Sequence, residues 1–464
     1  MVMLIHDTTI VTADADDTVH FNAAIAIDGQ RIAAVGPSDA LKARYGDAER
    51  VDGVGMLVMP GFANCHTHLT ATIARGIFED YPTYAHPPFD DVGRPPMPAW
   101  TTAERGLMGQ LGALEAIRSG TTLAMEDSIG NDETMEGLVA TGLRLVVAER
   151  AADRANGTVG AQGAFERDPA MAAEGLGRIE RLHQRWHGAE DGRISVAVSA
   201  WAPDLCSPEL LRDLRDLQDR LDTVATCHLN QVWGEVAAVK ANRGMLPTEY
   251  LASTGFLSER LVAAHCRCMT PAEEEIAGKA GISVAFNSCM AARRGLSPNI
   301  ADLDSHGCTI ALGTDNMAED MVEVMRTAMF MERVRRKDGA HPTPDQALGW
   351  ATANGYRALG VTDGGVLAQG RLADLIMVAA RRAHLVPVVR PVSAFVHNGQ
   401  AADVRSVMVG GDWIMRDGRV LTMDEDALLA EAQSTGVALW RRMYDSHPDV
   451  HLPNGFDPAA SGRA

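Results

Sequence analysis

Apolar and polar positions fall into three textures along the 464-residue chain. Up to about residue 57 they alternate as short strands do, over 3–5, 8–11, 23–27 and 31–35, with Asp28-Gly29 as a turn between the last two. From Pro60 to about Leu359, short apolar runs alternate with longer amphipathic stretches, the pattern of repeated strand–helix units. The runs cover 57–63, 121–126, 143–148, 194–201, 223–228, 261–265, 282–287 and 309–315. Eight such strands suit a (β/α)8 barrel. Helices are expected between them, for example over 102–119 before Gly120 and over 208–221 after Ser207. Past the barrel, 370–378, 404–409 and 412–420 are again β-rich, with Asp417-Gly418 at a hairpin.

Neither chain end has enough apolar surface to be stable alone, so the two are expected to pair. The fold class read from the pattern is therefore α/β, a TIM barrel with a small composite β-sandwich domain formed from both chain ends. Residues 1–57 and 362–424 form the composite domain, 58–361 the barrel, and 425–464 a C-terminal helix and arm. The methionines at 317, 321, 325 and 329 recur every fourth residue, a stripe expected to serve packing.

Composition narrows the class. Hydrophobic residues make up 46% and charged residues 22%, as in a globular protein, and no apolar run approaches the ~20 residues of a spanning helix. The N-terminus carries acids where a signal peptide would carry bases, so a cytoplasmic protein without a targeting segment is expected. Seven cysteines without a C-x-x-C pair are no disulfide scaffold; Cys65, Cys227 and Cys266 read as small buried fillers beside histidines. A net charge of −19 argues against nucleic acid and anionic membranes and makes a neutral or cationic small substrate easier to accept.

The chemistry starts at Pro60-Gly61-Phe62-Ala63-Asn64-Cys65-His66-Thr67-His68-Leu69. In an extended segment residues i and i+2 point the same way, so His66 and His68 can face one metal ion. Alone the pair is a weak pattern. A barrel, however, gathers the C-terminal ends of its strands at one mouth. His228 ends the fifth run, His265 the sixth and Asp315 the eighth. Imidazoles and a carboxylate around one ion leave a place for water, whose pKa falls from 15.7 to ~7 on binding.

This set resembles the amidohydrolase superfamily, in its branch of cytosine deaminases, aminopurine and adenosine-derivative deaminases and triazine hydrolases. The resemblance spans nearly the whole chain. It also includes Arg75-Gly76 followed by Asp80, Arg118-Ser119-Gly120-Thr121-Thr122, Cys206-Ser207-Pro208-Glu209-Leu210-Leu211, Leu312-Gly313-Thr314-Asp315 and Gly370-Arg371-Leu372-Ala373-Asp374. It implies one divalent metal, zinc first and iron or manganese next, on His66, His68, His228 and Asp315. Asp315 would also take the water's proton, and His265 would contact water or substrate. Two-metal relatives use a lysine or glutamate on the fourth strand; 194–201 has neither, so one metal is expected. The resemblance further implies a homo-oligomer, dimer or higher.

Two departures stand out. The branch has a glutamate three residues after the fifth-strand histidine as general acid; here it is Gln231, which can hydrogen-bond but not donate a proton as an acid. Glu235 is a substitute only if the backbone turns it inward; otherwise it is a supporting or solvated carboxylate. After the fourth strand, where relatives often have Pro-His, the chain reads Trp201-Ala202-Pro203-Asp204. Trp201 could stack on a planar substrate and Asp204 could hold a cationic or donor-rich group. Asn287 and Asn316 could line the mouth, as could His86 on the proline-rich loop 77–100, a candidate lid or pocket wall.

The function expected is hydrolytic deamination of a planar nitrogen heterocycle by metal-activated hydroxide. The alternative is hydrolysis of an amide, urea or carbamate, or of a ring carbon–halogen or carbon–sulfur bond, since Gln231 weakens the deaminase case. A non-catalytic relative would be expected to have lost ligands, and none is missing.

Overall fold

The computed structural model describes residues 2–79 and 95–450. Eight parallel strands pair in sequence order: Phe62–Thr67, Thr121–Ser128, Arg144–Ala151, Ile194–Ala200, Ala225–Leu229, Leu261–His265, Ser283–Phe286 and Thr309–Leu312. They are referred to below as the first to eighth barrel strands. A bridge between Thr67 and Asp315 joins the last to the first. There Asp315 N donates to His66 O and His68 N to Asp315 O, each at 3.0 Å. The seam of the barrel is thus made by the residues singled out for metal binding. It is tight: a Cβ at Gly313 would lie 2.3 Å from Asn287 Oδ1 and 2.9 Å from His66 O, so only glycine fits.

The first apolar run is two strands, not one. Met56–Pro60 pairs with Thr9 and Ile10 and, antiparallel, with Leu375–Ala379 in the other sheet. Phe62–Thr67 then enters the barrel. Gly61 makes the passage, because a Cβ there would sit 2.1 Å from the Thr122 side chain. The sheet of the chain ends has nine strands in one hydrogen-bonded array, with the N-terminal Met3–Val11 and the C-terminal Leu375–Ala379 on either side of Met56–Pro60. Asp374 fastens this sheet to the barrel: its buried carboxylate accepts from Arg144 Nε and Nη2 (2.8 and 3.1 Å), Tyr356 Oη (2.9 Å) and Gly410 N (2.6 Å).

The expected helices form at Thr102–Arg118, with Thr101 and Glu104 in a reciprocal N-terminal cap, and at Pro208–Leu221, capped by Ser207. Met317, Met321, Met325 and Met329 are buried, as packing requires, and all seven cysteines are buried and unpaired. The C-terminal helix Glu425–Ser446 reaches back to the mouth, where Trp440 Nε1 donates to Ile73 O at 2.6 Å, in the turn after His68. Among the described residues no helix is long and apolar enough to cross a membrane.

Candidate metal centre

The first, fifth and sixth strands deliver their histidines to one place. The His66 ring centroid lies 4.6 Å from that of His68, 4.8 Å from His228 and 5.3 Å from His265. Asp315 joins them, Oδ1 lying 3.5 Å from His68 Nε2 and Oδ2 3.7 Å from His265 Nδ1. Nitrogens of His66, His228 and His265 fall within 4.8 Å of one another, as do donor atoms of His66, His68 and Asp127. His265 and Asp315 adopt φ of 81° and 70°, left-handed backbone that costs a non-glycine residue free energy and is kept where side-chain aim matters.

Backbone carbonyls set the imidazole tautomers. His68 Nδ1 lies 2.7 Å from Asp127 O and His228 Nδ1 2.8 Å from Trp201 O. A carbonyl only accepts, so in each ring Nδ1 holds the proton and Nε2 presents a lone pair, the arrangement a metal ligand needs. His265 is the opposite. Its Nδ1 faces Arg267 Nη2 at 3.1 Å, and a guanidinium only donates, so Nδ1 accepts and Nε2 carries the proton. Asn287 Nδ2 supports the same nitrogen at 3.1 Å. His265 is therefore built to donate from Nε2 rather than to ligate.

The donor set fits a divalent ion. Burial holds all four imidazoles well below the ordinary histidine pKa, in the neutral form that coordinates. Both His66 nitrogens, His265 Nε2 and Asp127 Oδ2 are buried without a hydrogen-bond partner among the described residues. Burial pushes the Asp315 carboxyl up to about 6, with Arg267 the largest opposing influence. Behind the ligands, Glu319 accepts from Thr67 Oγ1 (2.7 Å), Thr314 Oγ1 (2.6 Å) and Asn64 Nδ2 (3.1 Å), pinning the first strand to the residue before Asp315.

A cavity of about 510 Å³ opens over this cluster, bordered by His68, His228 and Asp315 and by Trp201, Gln231 and Asn316 among others. Pro95 and Pro96 form part of its wall; residues 80–94 of the proline-rich loop, with Asp80 and His86, lie outside the described residues. Two sequence expectations need correction, at Asp204 and Asn287, while Glu235 takes the supporting place that the sequence left open to it. Asp204 does not border the cavity: its buried Oδ2 accepts from Gly160 N at 2.7 Å and holds the loop after the third strand. Asn287 meets His265 rather than the cavity. Glu235 turns away from it, its two oxygens accepting from the backbone of Asn230 (2.8 Å) and Gln231 (2.6 Å), so it shapes the turn after His228.

Sequence reasoning passed over Asp127, Arg150, Arg267 and Arg294. Asp127, next to last in the second strand, accepts from Ser199 Oγ at 2.9 Å and forms an ion pair with Arg150, whose Nε lies 3.1 Å from its Oδ1. Arg150 Nη2 lies 3.1 and 3.2 Å from the ring nitrogens of His68, and its guanidinium sits 5.4 Å from the Trp201 ring centroid. Arg267 and Arg294 line the same cavity, so among the described residues guanidiniums outnumber carboxylates on its wall although the chain is strongly acidic. The signal available was a charged residue inside the apolar stretch Ala264-His265-Cys266-Arg267-Cys268.

Comparison with known proteins agrees. The amidohydrolase family profile matches residues 57–414, and a bacterial imidazolonepropionase-like composite domain profile matches 23–48. A 5'-deoxyadenosine deaminase of Methanothermobacter thermautotrophicus is 34% identical over 413 residues, covering 85% of this chain and 90% of that protein. A 5-methylthioadenosine/S-adenosylhomocysteine deaminase of Pelotomaculum thermopropionicum is 31% identical over 451 residues, covering 95% and 99%. Among solved structures, an adenosine deaminase from Xanthomonas campestris with bound zinc superposes with a TM-score of 0.81 at 24% identity over 95% of this chain and 98% of that one. An atrazine chlorohydrolase from Arthrobacter aurescens complexed with zinc gives 0.82 at 21% identity, over 94% and 100%. These likenesses in shape support the same barrel.

Proposed function

The chain belongs to the amidohydrolase family, and from that premise we propose that it hydrolytically deaminates a nitrogen heterocycle at the mouth of its barrel. The observation that carries this reading is the convergence of lone-pair-bearing His68 and His228 on His66 and Asp315, with proton-bearing His265 beside them. His66, His68, His228 and Asp315 would hold one divalent ion, zinc in this reading, which would supply the Lewis acidity that makes water a nucleophile near neutral pH. Asp315 takes the water's proton. His265 donates from Nε2 to the heteroatom on which negative charge develops. Trp201 offers a flat wall to the ring, and the Gln231 amide donates to a ring nitrogen without protonating it. We place the enzyme in the cytoplasm, as a homo-oligomer acting on a planar small molecule.

One observation favours a second reading. Gln231 borders the cavity while Glu235 is turned to the backbone, so among the described residues Asp315 is the one acid on the cavity wall. Hydrolysis of an amide, urea or carbamate, or loss of a ring halide or thiolate, asks less of position 231. Ammonia release across pterins, purines, pyrimidines and triazines decides between them: release from at least one ring supports deamination. No release, with turnover of amides, ureas or halogenated rings, selects the second reading.

A further inference from the structure

Among the described residues, three guanidinium groups, Arg150, Arg267 and Arg294, and one carboxylate, Asp315, which is itself a metal ligand in our reading, line the cavity. They are not equivalent. Arg150 is ion-paired to Asp127 at 3.1 Å. Arg294 donates from Nη1 to the carbonyls of Phe78 (3.2 Å) and Glu79 (3.4 Å). Arg267 is only 7% exposed and gives Nη2 to His265, while its Nε and Nη1 find no acceptor among the described residues. A buried cation with unused N–H groups is among the most unfavourable states for a polar side chain, and it is relieved by an anion that enters with a ligand.

We propose that Arg267 binds an anionic oxygen group of the substrate, a carboxylate or phosphate attached to the heterocycle. The proposal rests on the reading of this cavity as the hydrolase's substrate pocket. It reverses the preference for neutral or cationic substrates that the overall charge of −19 suggested. Low-dielectric walls focus the field of nearby charges, so the guanidiniums lining the pocket outweigh distant surface acids for a ligand inside it. Guanidinium N–H groups match carboxylate and phosphate oxygens in geometry as well as charge. A volume of about 510 Å³ holds a substituted bicyclic ring. Because Arg267 also fixes the His265 tautomer, an anion on Arg267 would seat the ring beside the His265 Nε2–H.

The test is calorimetric binding to the metal-loaded protein of matched pairs: pterin and pterin-6-carboxylate, cytosine and 5-carboxycytosine, adenosine and adenosine 5'-monophosphate. The first two pairs probe carboxylate and the third phosphate. The anionic member of at least one pair should bind about ten-fold more tightly than its neutral partner. Arg267→Met should weaken the anionic member about ten-fold more than the neutral one, and Arg267→Lys, which keeps the charge, should retain part of the preference. Metal content and thermal unfolding confirm that each variant is folded. A role confined to orienting His265 would weaken both members alike and overturn the proposal. So would neutral members binding as well as anionic ones throughout, absence of anion binding, or a preference that survives Arg267→Met. Binding does not need turnover: an anion preference without hydrolysis refutes the hydrolase reading alone, and ammonia release without such a preference refutes this one alone.

Discussion

His68 and His228 each hand Nδ1 to a backbone carbonyl, whereas Gln231 and Asn316, on the same cavity, are side chains that the surrounding backbone does not aim. Asn316 Oδ1 has no partner among the described residues, and the hydrogen bonds at Gln231 hold its backbone N–H to Glu235. On the metal side the barrel seam itself sets positions, through Asp315 N to His66 O and His68 N to Asp315 O. The difference teaches where change is cheap. A ligand cannot move without reopening the barrel, while a pocket residue can be exchanged with the frame intact, which is how one frame serves different substrates.

The largest effect should follow from breaking the metal side at Asp315. Asp315→Asn removes the proposed charged ligand and base together, and turnover should fall by roughly 10³-fold or more for every substrate alike. A substrate-selective loss in steady-state kinetics would erase the distinction between the halves. Next is the support of the fifth strand: Glu235→Ala leaves the buried Asn230 N–H and the part-buried Gln231 N–H without acceptors, and thermal unfolding should register about 2–4 kcal/mol in all. An unchanged melting temperature would show that Glu235 does not shape the turn.

On the substrate side the effects are smaller and differ in sign. Gln231→Glu should raise ammonia release about ten-fold by restoring a proton donor, and less effect on amide, urea or halide hydrolysis. No gain on any ring would place the leaving group elsewhere. Asp204→Asn should alter kcat/KM by no more than about two-fold, since it lies off the cavity and off the reacting atoms. It should change the pH dependence of stability instead. Burial lifts the Asp204 carboxyl from 3.8 to about 6, so the unfolded chain loses this proton first. The residue then favours folding below about 4, and that contribution is lost as pH rises through about 6. Unfolding curves of the asparagine variant between those pH values should be flatter than those of the wild type.

The barrel was readable because its strands are buried on both faces and leave continuous apolar runs, and the meeting of His66, His68, His228, His265 and Asp315 because strand ends converge wherever they fall in sequence. The first run was misjudged for the same reason: Met56–Pro60 and Phe62–Thr67 are both apolar, and only Gly61 marks the change of sheet. Asp204 was placed at the substrate because a carboxylate at a strand end can face either the mouth or a neighbouring loop. Gly160, 44 positions away, decides it. Arg267 went unnoticed because net charge averages over the surface and hides a single buried guanidinium.

The most direct test of the central claim is metal analysis of the purified protein and its His66→Ala variant, measured beside turnover. The account predicts about one equivalent of divalent metal in the wild type, and in the variant loss of both metal and activity with the circular dichroism spectrum unchanged. Near-normal turnover in a folded His66→Ala variant, or full activity in metal-depleted wild type, would contradict it.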